Sequence, residues 1–172
     1  MNVPLTTFHT VSLIGMPGVG KSTVGVILAK RLGLEFSDTD IDIQTREGRT
    51  LQEIVDSDGH LYLREVEEQV LLEVPLEDKV AATGGSVIYS ARTMTRLAQA
   101  GPVVYLRADL ETLKERMATN PERGIASGPE LDFEDIYNER TPLYQRYASH
   151  VVDATSGNAD TVATLIVQAL HL

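Results

Sequence analysis

GMPGVGKS, residues 15–22, fits the spacing G-x-x-x-x-G-K-[ST], and its reading decides the fold. Before it, Val11, Leu13 and Ile14 belong to an apolar run of strand length that starts at about Phe8. After it, Val24, Ile27, Leu28 and Leu32 recur at helical spacing, and Gly33 offers a left-handed cap where that helix should stop. A glycine-rich turn between a strand and a helix has a mechanism. Gly15, Gly18 and Gly20 let the chain turn tightly enough for successive N–H groups and the positive end of the helix to face one anion. Gly18, Val19, Gly20, Lys21, Ser22 and Thr23 are the expected nucleotide-binding set, with Lys21 reaching the outer phosphates and Ser22 binding Mg²⁺.

Downstream, residues 34–36 read as a second short strand that leads into Asp38, Thr39 and Asp40. Two carboxylates so spaced at a strand end either cap the next helix or face a ligand, because open α/β sheets bind ligands at their strand carboxyl ends. Residues 41–47 and 51–55 read as short helical pieces parted by Gly48. Leu63, Val66, Val70, Leu71 and Val74 then mark an amphipathic helix from about His60 to just before Pro75. Arg64 lies near its start, where a cation opposes the helix dipole, so the residue is either an exposed arginine or a ligand-binding one. Residues 80–82 form a buried strand that runs into Thr83, Gly84, Gly85 and Ser86, where the glycine pair makes a plain turn or admits a close-packed substrate.

Residues 92–100 read as helix, 103–106 as strand and 110–117 as helix. PERGIASGPELD, residues 121–132, has two prolines, two glycines and no sustained apolar period, and is as long as a lid. Arg123 is its only cation, either solvated or closing over the phosphates of a bound nucleotide. Residues 134–147 read as helix, although Pro142 should start a fresh segment or kink it. Arg140 sits two residues before that proline. A last strand at Val151 and Val152 precedes an amphipathic closing helix through Val162, Leu165, Ile166, Ala169 and Leu170. Short strands without polar alternation, alternating with helices, specify an α/β domain with a parallel sheet covered on both faces. Residues 1–172 are expected to form that one domain.

Composition narrows the partners. A chain of 172 residues that is 42% hydrophobic suits one core, and a chain of that size buries about 70% of the surface it exposes unfolded. No stretch approaches the roughly 20 apolar residues of a membrane span, and no basic segment leads into an apolar one at the N-terminus, so a cytoplasmic protein is expected. The absence of cysteine excludes disulfides, thiolate metal sites and cysteine nucleophiles. A formal charge of −10 would repel nucleic acid, which leaves a small molecule as the expected partner. His9, His60, His150 and His171 show no metal-ligand spacing.

The chain resembles the shikimate kinases from about Val11 to Tyr147, through GMPGVGKS, the Asp38-Thr39-Asp40 triplet, Arg64 within YLREVEE, Thr83-Gly84-Gly85, Arg123 in the lid and Arg140 within ERTPLY. The resemblance implies a three-layer P-loop fold like that of nucleoside monophosphate kinases, with a five-stranded parallel sheet and a lid at about 121–132. It further implies a monomer that transfers the ATP γ-phosphate to the 3-hydroxyl of shikimate with Mg²⁺, in aromatic amino acid biosynthesis. Carried over by position, Ser22 would bind Mg²⁺ directly with Asp38 helping through water. Asp40 would hold the acceptor hydroxyl, while Arg64, Arg140 and the Gly84-Gly85 backbone would grip the rest of the substrate. Lys21 and Arg123 would neutralise the transferring group, and Arg116 would lie against adenine. Ser86 stands where the family usually has a third glycine, Gly124, Ile125 and Ala126 follow Arg123 in place of proline and leucines, and Val55 and Leu63 replace pocket phenylalanines. A wider pocket or a looser lid is the expected consequence. Two other functions fit the motifs: a kinase of another polyol or sugar acid such as gluconate, and a nucleotide-binding regulatory protein on the same fold.

Overall fold

A computed structural model of the chain describes residues 10–119 and 124–172. Phe8, Pro121 and Arg123 therefore lie outside the described residues. Strand β1, Thr10–Ile14, is buried along its whole length and runs into the phosphate loop. Helix α1, Lys21–Leu32, follows, and its C-terminal Gly33 takes the expected left-handed conformation, with its N–H bonded to the Ala29 carbonyl. Leu34 is also tied back to the Ala29 carbonyl, at 3.0 Å, so it closes the helix instead of opening the next strand. Strand β2 is consequently Glu35–Asp38, later than the hydrophobic run suggests, and it carries Asp38 at its end.

The sheet has five parallel strands in the order β2-β3-β1-β4-β5, with β3 at Lys79–Ala82, β4 at Val103–Arg107 and β5 at His150–Asp153. The chain winds one way from β1 to β3 and the other way to β4, and a crevice opens beyond the strand ends at such a reversal. Register decides what meets there. Leu13 of β1 and Asp38 of β2 both pair with Ala82 of β3, so the phosphate loop, Asp38 and the Thr83-Gly84 turn leave the sheet at one level.

Two cores support that edge. The larger fills both faces of the sheet around Leu13, Leu28, Val80, Val104 and Ile166, all fully buried. The smaller joins α2 (Thr39–Glu47), α3 (Leu51–Asp58) and α4 (His60–Glu73) through Ile43, Ile54, Leu63, Val66 and Val70, and it includes Ala126 from the 124–132 loop. Each such aliphatic side chain contributes roughly 1.5–3 kcal/mol on burial. Helix α2 begins at Thr39 because the Asp38 carboxylate accepts the Asp40 N–H at 3.0 Å. A reciprocal Thr50–Glu53 cap fixes the start of α3, which continues to Asp58 rather than ending near Val55.

Beyond β3, a single 3-10 turn at Val87–Tyr89 precedes α5, Ala91–Ala100. Helix α6, Leu110–Ala118, leads to the lid segment, and α8, Ala159–Ala169, closes the chain. Helix α7 is one piece, Phe133–Tyr147, with Pro142 inside it. The fresh segment expected at that proline does not form. Proline removes one backbone hydrogen bond, but Ile136, Arg140 and Tyr144 bury one face on both sides of it, and Tyr144 stacks on Tyr105 of β4 at 5.2 Å.

Candidate active site

At the phosphate end, Gly18 and Gly20 have φ of 84° and 102°, backbone that a residue with a Cβ rarely adopts. The turn they make lets Lys21 fold back over the loop. Its side chain is only 7% exposed, and its ammonium donates to the carbonyls of Gly15 at 2.8 Å and Met16 at 3.0 Å. The Ser22 hydroxyl donates to Asp38 Oδ2 at 2.5 Å, while Asp38 Oδ1 caps α2. Asp38 thus does both things open to a carboxylate at this strand end: it begins a helix and it faces the loop. A hydroxyl and a carboxylate in contact beside a phosphate loop are hard oxygen donors of the kind Mg²⁺ uses, together with substrate phosphates and water. Arg116 donates to the Val19 carbonyl at 2.9 Å and the Ala154 carbonyl at 3.2 Å. It lines a cavity of about 250 Å³ with Gly18, Gly20 and Thr23, on the side of the loop away from β2.

A separate cavity lies across from it, lined by Lys21, Asp40, Glu67, Gly84, Gly85 and Arg140 among others. Here the structure brings together residues that the sequence spreads over 120 positions. Arg140 is 1% exposed and donates through Nη2 to the Ala126 carbonyl at 2.9 Å. Arg64 donates through Nε to that same carbonyl oxygen, also at 2.9 Å. Ala126 is thereby clamped by two guanidiniums, and the cavity is only about 30 Å³. Ile125 and Ala126 fill the space, and Leu63 is buried in the wall.

The glycine pair is required by close approach. A Cβ at Gly84 would land on Glu67 Oε1, and one at Gly85 would lie 3.0 Å from both Arg140 Nη1 and the Pro17 ring. The Gly84 N–H is bonded to Thr39 Oγ1 at 3.1 Å, and the Gly85 carbonyl accepts from the Tyr144 hydroxyl. Burial holds the Tyr144 phenol far above its ordinary pKa, so it remains a donor.

Four contributors here carry no role in the sequence reading, although Glu67 and Tyr144 stand inside YLREVEE and ERTPLY: Glu67, Tyr89, Tyr144 and the hydroxyl of Ser86. Glu67 is 4% exposed; its Oε2 accepts from Ser86 Oγ, and its Oε1 has no hydrogen-bond partner among the described residues. Burial, reinforced by the Asp40 charge, pushes its pKa from 4.5 up to about 7, against the opposing pull of the Ser86 hydrogen bond, Arg140 and Lys21. A signal for it existed. Leu63, Val66, Val70, Leu71 and Val74 define the buried stripe of α4, and position 67 completes that stripe, so a carboxylate there had to be buried. Tyr89, in a single 3-10 turn, had no periodic pattern to reveal it.

Comparison with known proteins agrees with this geometry. The shikimate kinase family profile matches residues 17–171. Shikimate kinase 2 of Enterobacter sp. (strain 638) is 39% identical over 93% of this chain and 94% of its own length. The shikimate kinase of Paracidovorax citrulli is 38% identical over 96% of this chain and 91% of its own. Among solved structures, shikimate kinase from Acinetobacter baumannii in complex with shikimate superposes with a TM-score of 0.85 at 33% identity, over 94% of this chain and 92% of that one.

Proposed function

The chain belongs to the shikimate kinase family, and on that premise we propose that it transfers the γ-phosphate of ATP to the 3-hydroxyl of shikimate through the residues described above. The observation that carries the reading is the convergence of Arg64 and Arg140 on one carbonyl oxygen, in a cavity that also holds Asp40 and Lys21. Two guanidiniums aimed at a single acceptor atom suit a carboxylate, because each planar fork can donate to its oxygens. Shikimate offers that carboxylate across a ring from its hydroxyls. Both guanidiniums donate to the Ala126 carbonyl, so in this reading the acid's carboxylate replaces it and enters when residues 124–126 move aside.

The chemistry then needs little beyond alignment and charge. The acceptor oxygen attacks the γ-phosphorus, the bond to the ADP oxygen breaks, and the hydroxyl proton passes to Asp40. In a loose transition state that proton leaves late, so the first task of Asp40 is orientation. Lys21 places its ammonium on the transferring group. Arg123, outside the described residues, would add a second cation as the 121–132 lid closes. Ser22, with Asp38 behind it, would hold Mg²⁺, which would supply neutralisation of phosphate charge. Gly18, Val19, Gly20 and Thr23 would cradle the nucleotide, and Arg116, anchored by two carbonyls, would present its flat face to adenine. Gly84 and Gly85 line the acceptor cavity and let Glu67, Arg140 and Pro17 pack close around it. The whole chain works as one cytoplasmic, monomeric kinase domain in this reading.

The test is a coupled ADP-release assay in which shikimate, gluconate, simple polyols and nucleoside monophosphates are offered in turn. Shikimate-dependent turnover, with shikimate 3-phosphate recovered, is expected. Turnover no faster than ATP hydrolysis by water would defeat the proposal, and turnover with gluconate alone would move it to another acid.

A further inference from the structure

The Tyr89 ring carries the Arg64 guanidinium 3.8 Å above its centroid and has the Arg140 guanidinium 5.4 Å away. Its hydroxyl is bonded to Glu139, the residue before Arg140. Nothing in the phosphate, metal or acceptor roles uses this side chain. It arrives on the 3-10 turn at Val87–Tyr89, immediately after Ser86, whose hydroxyl is bonded to Glu67. One short turn therefore touches both the buried carboxylate and the two cations of the acceptor pocket.

Those cations are hard to hold. Arg64 and Arg140 share one carbonyl, so two like charges point at one spot. Burial first, and the Arg140 charge with it, pull the Arg64 pKa below its ordinary value. Tyr89 first, then Glu139 and Glu67, offset this through space. Among the described residues, the direct contacts on Arg64 are the Ala126 carbonyl, which must leave when the acid binds, and the Tyr89 ring, which need not. An aromatic face is negative, attracts a guanidinium within about 6 Å, and does so most strongly where water is excluded. Unlike a carboxylate, it does not compete for the N–H donors, which stay available at the edge of the guanidinium plane.

We propose that Tyr89 is a positioning residue for the acceptor: its ring is a platform that holds Arg64, and more weakly Arg140, with their donors turned toward the substrate carboxylate. The inference rests on the reading of this pocket as the shikimate site. Loss of the platform frees the Arg64 side chain and leaves two like charges less compensated, so the acid binds more weakly while phosphate chemistry continues.

The experiment compares wild type with Tyr89→Phe, Tyr89→Leu and a series in which fluorinated phenylalanines of rising fluorine content replace Tyr89. Shikimate, its methyl ester and ATP are varied separately. Tyr89→Phe should stay within about 3-fold of wild type in every constant, because the ring face survives. Tyr89→Leu should raise KM for shikimate by roughly 3- to 30-fold, with kcat and the ATP KM nearly unchanged. The uncharged ester, already a poor substrate, should be indifferent to the change. Fluorination drains the ring face without changing its shape, so the shikimate KM should climb stepwise along the series, and this readout stands even if Tyr89→Leu fails to fold. A flat fluorine series, or equal losses for acid and ester, would overturn the platform and leave Tyr89 as packing. A wild-type enzyme silent on shikimate would instead sink the premise, and the inference with it.

Discussion

The phosphate end of the cleft is contiguous backbone, residues 15–22, with Asp38 two strands away in the sheet, whereas the acceptor end is assembled from side chains of α4, the 3-10 turn, α7 and the 124–126 segment. At the first end a left-handed turn and a helix terminus create the binding field, and Lys21 and Ser22 trim it. At the second, charged groups are buried among hydrophobic walls: Arg140 at 1% exposed and Glu67 at 4%. A backbone site costs little to keep empty because its donors face solvent or loop carbonyls. A buried-charge site must hold itself together between turnovers, and the Ala126 carbonyl, the Tyr89 ring and the Ser86 hydroxyl serve that purpose.

The largest effect that separates the two ends is expected from Lys21→Met. Removing one preorganised charge donor costs about 10²–10³ in turnover, and methionine keeps most of the length of the side chain. Turnover should fall by that factor while KM for shikimate moves only a few-fold, since Arg64 and Arg140 hold the acid. Steady-state kinetics with both substrates varied would check it. Equal losses in kcat and in shikimate affinity would mean that the two ends are one electrostatic unit and the distinction drawn between them is false.

How far each end was legible follows from the same contrast. The phosphate loop could be read because its chemistry depends on glycines, a lysine and a serine at fixed spacing, and the short runs around it betray strand and helix. Asp38 and Arg64 could be placed at or near element ends, Arg140 only by its place two residues before Pro142, and the parallel sheet followed from apolar strands alternating with helices. The late start of β2 was hidden because Leu34 is apolar yet spent on closing α1. The unbroken α7 was hidden because burial of Ile136, Arg140 and Tyr144 outweighs the local cost of Pro142. Glu67, Tyr89 and Ser86 meet their partners across 19 to 51 positions of sequence, through contacts that no local pattern records.

The buried carboxylate offers the next sharpest probe, this time through stability. The folded protein holds the Glu67 proton up to about pH 7, whereas the unfolded chain releases it near the ordinary 4.5. The native state thus binds more protons between those values, so stability is greatest below about 4.5, declines as pH rises to about 7 and is level above. The loss is on the order of 3 kcal/mol. Glu67→Gln cannot ionise and should erase this component. Urea unfolding of both proteins at pH 5 and pH 8 would show the variant close to wild type at the lower pH and more stable at the higher. Parallel profiles would place Glu67 as an ordinary ionised carboxylate paired with its arginine neighbours, and the acceptor end would be less like a buried-charge site than described.

A smaller change tests whether the phosphate end is as self-sufficient as its backbone suggests. Asp38 is the carboxylate this end borrows from outside the loop, and its two oxygens have separable tasks: Oδ1 caps α2 and Oδ2 accepts from Ser22. Asparagine caps helices about as well as aspartate, so Asp38→Asn should leave the melting temperature within a few degrees of wild type while removing the charge behind Ser22. Loss of a supporting partner of this kind weakens metal binding by about 10-fold or more. The concentration of free Mg²⁺ needed for half-maximal turnover should rise by that factor at saturating ATP and shikimate, with kcat recovered at high Mg²⁺. A recovery that never comes, however much Mg²⁺ is added, would show that the Asp38 charge acts on the transferring phosphate itself. No change at all would leave the loop alone to hold the metal, and the contrast between a backbone-built end and a side-chain-built end would be complete.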